Sequence, residues 1–426
     1  MSHTWTLASR GFSRLRTNGL RDVNQRLARR FTHWIATEFR TADLDFPLLA
    51  GDIADSRVLT PGCQPHGRTD GPLRIAWLCT PPAPGSGGHT TLFRMVEGLE
   101  HRGHSCTVLL YNRHGSNLDF DTSIIRRHWP HMSAEIRYVP DRLDGYDVCF
   151  ASSWETAHVL ARRGNGTQHR IYFIQDYEPF FYPRGSLYAL AEDTYRFGFR
   201  HIAVGNMVQE LLLRETGANA AVAPFGCDTG VYTLKNFGPR SGVAFFSRPG
   251  VDRRGSMLAQ LALAEFHRRH PDQPITVFGD RIAKWDVPHR YVGKLSPAEL
   301  NVLYNKSAAG LALSFTNVSL VPEEMLAAGM QPVANDSPLA RMGLPNRHVR
   351  WAPPTPAGLA DALSRAVMSP LNATDLAALA ASARSGWGPA QAAVAAEIEL
   401  AVYGHRPGFP VPDVAGLGMQ EAGHGE

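Results

Sequence analysis

The sequence is poor in the residues that bridge chains, hold metals or cross membranes. Its 5 cysteines are Cys63, Cys79, Cys106, Cys149 and Cys227. They are odd in number, scattered and without CxxC spacing, which argues against a disulfide framework or a zinc site. Several sit in apolar runs and read as reduced core thiols of a cytoplasmic protein. No apolar run reaches the roughly 18–20 residues that span a bilayer. The N-terminus lacks the apolar core of a secretory signal. No His/Asp/Glu cluster has metal-ligand spacing. Two short Asp-x-Asp matches, Asp43 with Asp45 and Asp119 with Asp121, fall in a linker and in a loop past the second strand, and read as chance. Outside the N-terminus there is no basic block interleaved with aromatics, so a nucleic-acid scaffold is disfavoured.

What is present suits a soluble globular chain. With 426 residues, 44% hydrophobic and 19% charged, the expectation is two domains plus flanking segments. The net charge is +4 and the excess is mostly arginine, which fits phosphate-bearing ligands or an anionic membrane surface. Residues 1–72 read as a basic amphipathic extension and linker. Arg10 to Arg40 is rich in arginine, and Leu15, Leu20, Val23, Leu27, Phe31, Trp34 and Ile35 make a helix-spaced apolar stripe. Such a helix can lie in a membrane interface or pack on the protein's own surface, and both readings stay open. Residues 41–71 read as a linker.

From Leu73 short apolar runs alternate with helical stretches. Residues 73–238 give LRIAWLC, SCTVLLY, EIRYV, YDVCFASS, RIYFIQDY, HIAVGN and AAVAPFGCD as strands or strand ends. Residues 239–385 repeat the pattern with GVAFFSRP, PITVFGD, HRYVGKL, AAGLALS and QPVAND, and with helices at 255–270, 296–307, 355–367 and 372–385. Residues 386–405 read as a closing helix, and 406–426, rich in Gly and Pro, as disordered. The expected fold is α/β, two Rossmann-like doubly wound domains facing across a cleft. Ligands of such sheets bind beyond the carboxyl ends of the strands.

Four segments carry candidate chemistry. GSGGHTT, Gly85 to Thr91, is a glycine turn that lets backbone N–H groups approach a phosphate. FSRPGVDRRG, Phe246 to Gly255, puts Arg248 and Arg253 after a strand, and Lys294 follows another. Fixed cations there stabilise the growing charge of a departing diphosphate. SFTNVSLVPEEMLAAG, from Ser314, opens a helix at Pro322 with Glu323 and Glu324 in its first turn, where acids stabilise the helix or grip hydroxyls. QDYEPFFYP, from Gln175, is dense in acids and aromatics. Asp176 and Glu178 can orient hydroxyls, and Tyr177, Phe180, Phe181 and Tyr182 can stack on sugars. His89 and His201 are candidates near a reacting carbon.

In order and spacing these segments resemble a GT-B glycosyltransferase of the large retaining family 4. Within it, they are similar to bacterial rhamnosyltransferases that use dTDP-rhamnose, over roughly residues 73–405. The resemblance implies transfer of a sugar, L-rhamnose, from a nucleoside-diphosphate donor to a glycan or lipid-linked glycan, with retention of configuration and no metal or cofactor. It implies donor contacts at Gly87, Gly88, Arg248, Arg253, Lys294, Thr316, Val318, Ser319, Leu320 and Glu324. Arg248, Lys294 and Asp176 take the catalytic roles, and His89, Asp176, Tyr177 and Glu178 the acceptor side. APFGCD, Ala223 to Asp228, resembles the segment that ends the first domain and implies hinge geometry. One departure stands out. The family usually carries two glutamates separated by seven residues; Glu324 matches the second, but Thr316 stands at the first. The enzyme would work in the cytoplasm, or peripherally on the inner face of the plasma membrane through residues 10–40, with no nucleic-acid partner. A nucleotide-sugar epimerase of the same build, or a non-catalytic binding subunit of a glycan assembly complex, remain alternatives.

Overall fold

The apolar runs form strands that pair in parallel throughout, as buried strands covered by helices on both faces do. The computed structural model describes residues 46–59, 70–318, 320–384 and 386–404, with Phe31 and Trp34. Apart from those two residues, the helix expected over 10–40 lies outside the described residues, as do Cys63, Ser319 and the 406–426 tail. Residues 1–50 and 51–426 are separate units, and among the described residues both sheets belong to the second.

The first sheet comprises β1 (Arg74–Cys79), β2 (Ser105–Leu110), β3 (Glu135–Tyr138), β4 (Val148–Ala151), β5 (His169–Ile174), β6 (Arg200–Val204) and β7 (Ala221–Ala223), in the order β3-β2-β1-β4-β5-β6-β7. The second comprises β8 (Val243–Ser247), β9 (Ile275–Gly279), β10 (Arg290–Tyr291), β11 (Ala309–Leu311), β12 (Gln331–Asn335) and β13 (Arg350–Ala352), in the order β10-β9-β8-β11-β12-β13. Both orders reverse direction beside their first strand, the Rossmann switch point. We call the two parts the N-lobe and the C-lobe.

The N-lobe helices are α1 (Gly87–His101), α2 (Leu118–His128), α3 (Trp154–Arg163), α4 (Ser186–Asp193) and α5 (Asn206–Thr216). The later helices are α6 (Ser256–Arg269), α7 (Pro297–Lys306), α8 (Val321–Ala327), α9 (Pro338–Gly343), α10 (Pro356–Met368), α11 (Ala373–Ala381) and α12 (Gly388–Tyr403). The expected capping box of α7 is present: Ser296 accepts from Glu299 N, and the Glu299 carboxylate accepts from Ser296 N.

Several sequence expectations are corrected. The helix read over 372–385 ends at Ala381. The short helices α2, α4 and α9 had no apolar period strong enough to read. Asp119 and Asp121 lie in the first turn of α2, whose N-cap is Asn117, so that Asp-x-Asp is a helix start. Residues 51–57 are no free linker. Buried Asp52 accepts from Arg163 at 2.7 and 2.8 Å and from the Tyr111 hydroxyl at 2.8 Å. Ser56 hydrogen-bonds Asp193 through its N–H and hydroxyl. A two-pronged arginine–carboxylate pair of this kind fixes direction as well as contact.

In the N-lobe core, Trp77 stacks on Phe150 with centroids 3.8 Å apart, and Leu92, Val96 and Phe173 surround them. The C-lobe core gathers Phe245, Leu263, Phe266, Leu359 and Leu363. Helix α12 comes after the C-lobe in sequence, yet its Ala390, Val394, Ile398 and Val402 belong to the N-lobe core. The chain therefore crosses between lobes twice, and the crossings touch: Gly386 N donates to Cys227 O at 3.1 Å. A Cβ on Gly226 would stand 2.5 Å from Gly386 O, so only glycine lets the two strands of chain approach this closely. The described cysteines, Cys79, Cys106, Cys149 and Cys227, are free and buried, and burial raises their thiols, to about 12 for Cys79 and Cys149.

Candidate functional site

Strand β8 ends at Ser247, and the next residues carry three arginines. Gly255, at φ 62°, turns this loop into α6, and a Cβ there would meet Phe315 at 2.9 Å. Arg248 is exposed, and no described group pairs with its guanidinium; its N–H donates to Ser256 Oγ at 3.2 Å. Arg253 is half-buried, with its guanidinium 3.9 Å from the Phe181 ring centroid in the N-lobe, a cation–π contact across the cleft. Arg254 donates to Ser314 Oγ at 3.1 Å. Burial lowers its guanidinium to about 10, with Asp176 opposing the shift and Arg253 and Arg248 adding to it. It remains charged at neutral pH.

Asp176 follows β5 and is buried. Its Oδ2 accepts from Thr316 Oγ1 and its Oδ1 from Asn317 N, each at 2.9 Å. Burial raises its carboxyl, while Arg254, Thr316, Arg253 and Asn317 pull it back. Thr316 stands where the resemblance puts a glutamate, so a carboxylate is present there after all, supplied by the opposite lobe.

The glycine turn meets the same loop. A Cβ on Gly87 would lie 3.8 Å from Leu320 Cδ1, and one on Gly88 3.5 Å from Gln175 Oε1. The first N–H groups of α1 have no partner within the helix. Val318 and Leu320 are buried, and Ser319 lies outside the described residues. His89 Nε2 contacts Thr80 O and Nδ1 contacts Ser86 Oγ, each at 2.9 Å. A carbonyl only accepts, so Nε2 carries the proton and Nδ1 accepts from the serine. Burial lowers this imidazole's pKa, which keeps it neutral. Both ring nitrogens are thus engaged within the lobe, which leaves His89 no free ring nitrogen for an acceptor.

The glutamates of α8 differ sharply. Glu323 is buried, accepting from Arg384 N at 3.0 Å with the Arg384 guanidinium at 3.4 Å. Glu324 is half-buried against Tyr232 and Tyr304, and burial, with Asp228 nearby, pushes its carboxyl up to about 7. Asp228 itself pairs with Arg94 at 3.1 Å and accepts from Trp387 Nε1 at 2.8 Å.

Other expected residues are placed apart from solvent or from the arginines. Tyr177 is fully buried, with its hydroxyl donating to Glu192 Oε1 at 3.2 Å. Glu178 accepts from Trp154 N and from the Tyr172 hydroxyl, the latter at 3.0 Å; burial beside Glu155 drives its pKa well up. Both side chains are used inside the lobe, so the structure corrects their assignment as free acceptor contacts. His201 is buried among Tyr172 and Tyr195, its pKa lowered to about 4. Lys294 is exposed, 3.7 Å from Asp280. Asp280 N donates to Ser247 O at 2.9 Å, so Asp280 is one strand from Arg248, and the lysine, which follows β10, is two strands across.

Arg254, Asn317 and Asp228 joined the site only in the structure. In DRRG the sequence does not tell which arginine turns inward, because the turn at Gly255 decides it. Among the described residues no group of His, Cys, Asp or Glu is arranged to hold a metal ion, and no helix is long and apolar enough to cross a membrane.

The sequence matches the C-terminal domain of WsaF over residues 241–364 and its N-terminal domain over 142–208. It is 34% identical over 240 residues to the O-antigen biosynthesis protein RfbC of Myxococcus xanthus. That stretch is 53% of this chain but 18% of RfbC, so the chain matches less than a fifth of that protein's length. Among solved structures, HepE of Anabaena in complex with UDP-glucose is similar at a TM-score of 0.58 and 16% identity, over 77% of this chain and 100% of that one. A protein from Listeria monocytogenes described as a UDP-N-acetylglucosamine 2-epimerase is similar at 0.54 and 12%, over 78% and 98%. The chain thus has the GT-B fold of glycosyltransferases, with a WsaF-like segment in each of its two Rossmann-like lobes.

Proposed function

We propose that the protein transfers a sugar from a nucleoside-diphosphate donor to a glycan or lipid-linked glycan, in the assembly of a surface polysaccharide. The observation that carries this is the loop after β8. There Arg248 has a guanidinium that no described group pairs, beside Arg253 and Arg254, in a loop that reaches the N-lobe at Phe181. As the glycosidic bond to the donor breaks, charge gathers on the diphosphate, and cations fixed in advance stabilise that state most. In this reading arginines supply the counter-charge in place of a metal, and no cofactor is needed. Lys294 adds long-range attraction, the α8 start and Gly87–Gly88 offer N–H groups to the phosphates, and Glu324 accepts from the ribose. The matches to WsaF and to an O-antigen biosynthesis protein support the polysaccharide setting. Our finer reading is a dTDP-L-rhamnose donor and retention, with the departing phosphate oxygen taking the acceptor's proton on the same face. An inner-membrane surface, reached through residues 10–40, would bring the enzyme to lipid-linked acceptors.

A thermal-shift panel with dTDP, UDP, GDP and their sugars tests the donor. A response to one base above the others supports it, and an equal response to all or to none removes it. Product analysis separates transfer from epimerisation: a new glycoside appearing only with acceptor supports transfer, and an altered nucleotide sugar without acceptor makes the protein an epimerase. A truncated chain lacking residues 1–40 that still sediments with anionic liposomes would remove that segment as the anchor.

A further inference from the structure

We propose that Asp176 is a positioning residue for the diphosphate site: from the N-lobe it sets the C-lobe loop 314–317 and, through it, the arginine loop. Both oxygens of this buried carboxylate bond across the lobe boundary, to Thr316 Oγ1 and to Asn317 N. The Asn317 side chain returns the contact. Its Nδ2 donates to Gln175 O at 2.8 Å and Val204 O at 3.1 Å, carbonyls at the carboxyl ends of the neighbouring strands β5 and β6. One short C-lobe loop is therefore tied to the N-lobe at four points within two residues.

The same loop is tied on its other side to the cations. Phe315 N donates to Arg253 O at 2.9 Å, and Arg254 Nη1 donates to Ser314 Oγ at 3.1 Å. Ser314 Oγ in turn donates to Asn317 O. Asn335 holds Ser314 from behind, with its Oδ1 accepting from Ser314 N at 2.9 Å and its Nδ2 donating to Ser314 O at 2.8 Å. A line of hydrogen bonds thus runs from Asp176 through Thr316 and Asn317 to the carbonyl of Arg253 and the guanidinium of Arg254. The charge of Asp176 also faces both arginines. Both oxygens of this buried side chain are engaged, which corrects its expected catalytic and acceptor-contacting roles: Asp176 touches no substrate. It fixes where the cations and the start of α8 stand relative to the glycine turn of α1. The donor site is thereby completed by the acceptor-side lobe, and the diphosphate is gripped fully only while this clasp is closed.

The proposal rests on the nucleoside-diphosphate donor reading, and its test separates the two. Amide hydrogen exchange of residues 314–320 and calorimetric affinity for dTDP and UDP are measured on the full chain and on Asp176→Asn, Thr316→Val and Thr316→Ser. Loss of a buried hydrogen bond predicts exchange at Asn317 about 10-fold faster and nucleotide affinity about 10-fold weaker in Asp176→Asn. Thr316→Val, which loses only the hydroxyl, is expected to show a smaller loss of the same kind, and Thr316→Ser, which keeps the hydroxyl, to return to within about twofold. In turnover the donor KM rises while the acceptor KM is unchanged. Faster exchange with unchanged nucleotide affinity would make the clasp structural only and overturn the proposal, as would no change in either. If Asp176→Asn does not fold, the Thr316 pair decides between the same outcomes. A parent protein that binds neither nucleotide overturns the donor reading and this proposal with it. A parent that binds, with variants that bind equally well, overturns this proposal alone.

Discussion

Two loops at strand ends face each other across the cleft, and they treat their charges in opposite ways. In the N-lobe loop after β5, the acids and tyrosines are already satisfied: Glu178 by Trp154 and Tyr172, Tyr177 by Glu192, and Asp176 by Thr316 and Asn317 of the other lobe. In the C-lobe loop after β8, the Arg248 guanidinium gives none of its donors to a described group, and Arg253 offers its face to a ring instead of to a carboxylate. Both loops looked equally rich as sequence. What differs is spare hydrogen-bonding capacity, and a ligand can bind only where some is left.

Breaking the spare side should cost the most activity. Arg248→Ala is expected to lower kcat/KM for the donor by about 100-fold or more, the usual cost of removing a donor to a developing charge, with an unchanged melting temperature. Steady-state kinetics and calorimetry check it; a loss below a few-fold would level the contrast between the loops.

Breaking the satisfied side should cost stability instead. Glu178→Ala leaves the buried Trp154 N–H without its acceptor, a cost of about 1–3 kcal/mol. Urea unfolding reads this, and turnover per folded molecule should stay within about twofold. Near-normal stability with lost turnover would move Glu178 into the reacting site.

Glu324 sharpens the comparison through pH. Its carboxyl titrates near 7 in the folded chain, raised from 4.5 by burial. A raised acid favours the protonated folded form, so its stabilising contribution is full below about 4.5 and fades as pH rises through about 7. Melting temperature followed over that window should fall less in Glu324→Gln than in the parent. If the ionised group accepts from a ribose, nucleotide affinity should climb over the same interval and stay flat in the variant.

Smaller effects are expected at the glycine turn and the outlying lysine. A Cβ at Gly88 finds only ordinary contact, 3.5 Å from Gln175, so Gly88→Ala should melt as the parent does while donor KM rises about three- to tenfold. Lys294→Ala, at an exposed and salt-screened position, should change donor KM by no more than about threefold, less so at high salt.

The sheets were legible because buried parallel strands need unbroken apolar runs, and RIAWLC and VAFFS are too short for helices and end in Pro/Gly turns. The cation loop was legible too, since arginines directly after a strand sit at its carboxyl end whatever the details. Which arginine points inward was not, because that depends on the turn at Gly255 and on Ser314, a residue far along the chain. The fate of QDYEPFFYP was equally hidden. Its acids meet Trp154, Thr316 and Asn317 only after folding, and composition alone cannot tell a satisfied carboxylate from a waiting one.

The paired crossings at Cys227 and Gly386 bear on how the lobes can move. Two chain segments running side by side, joined by a backbone hydrogen bond, behave as a strap hinge and resist twisting, whereas a single tether would swivel freely. Any opening of the lobes is therefore expected to follow one swing, like the covers of a book about its spine, in preference to a twist. Each closing would then return Arg248 to the same place opposite the N-lobe, without a search over orientations.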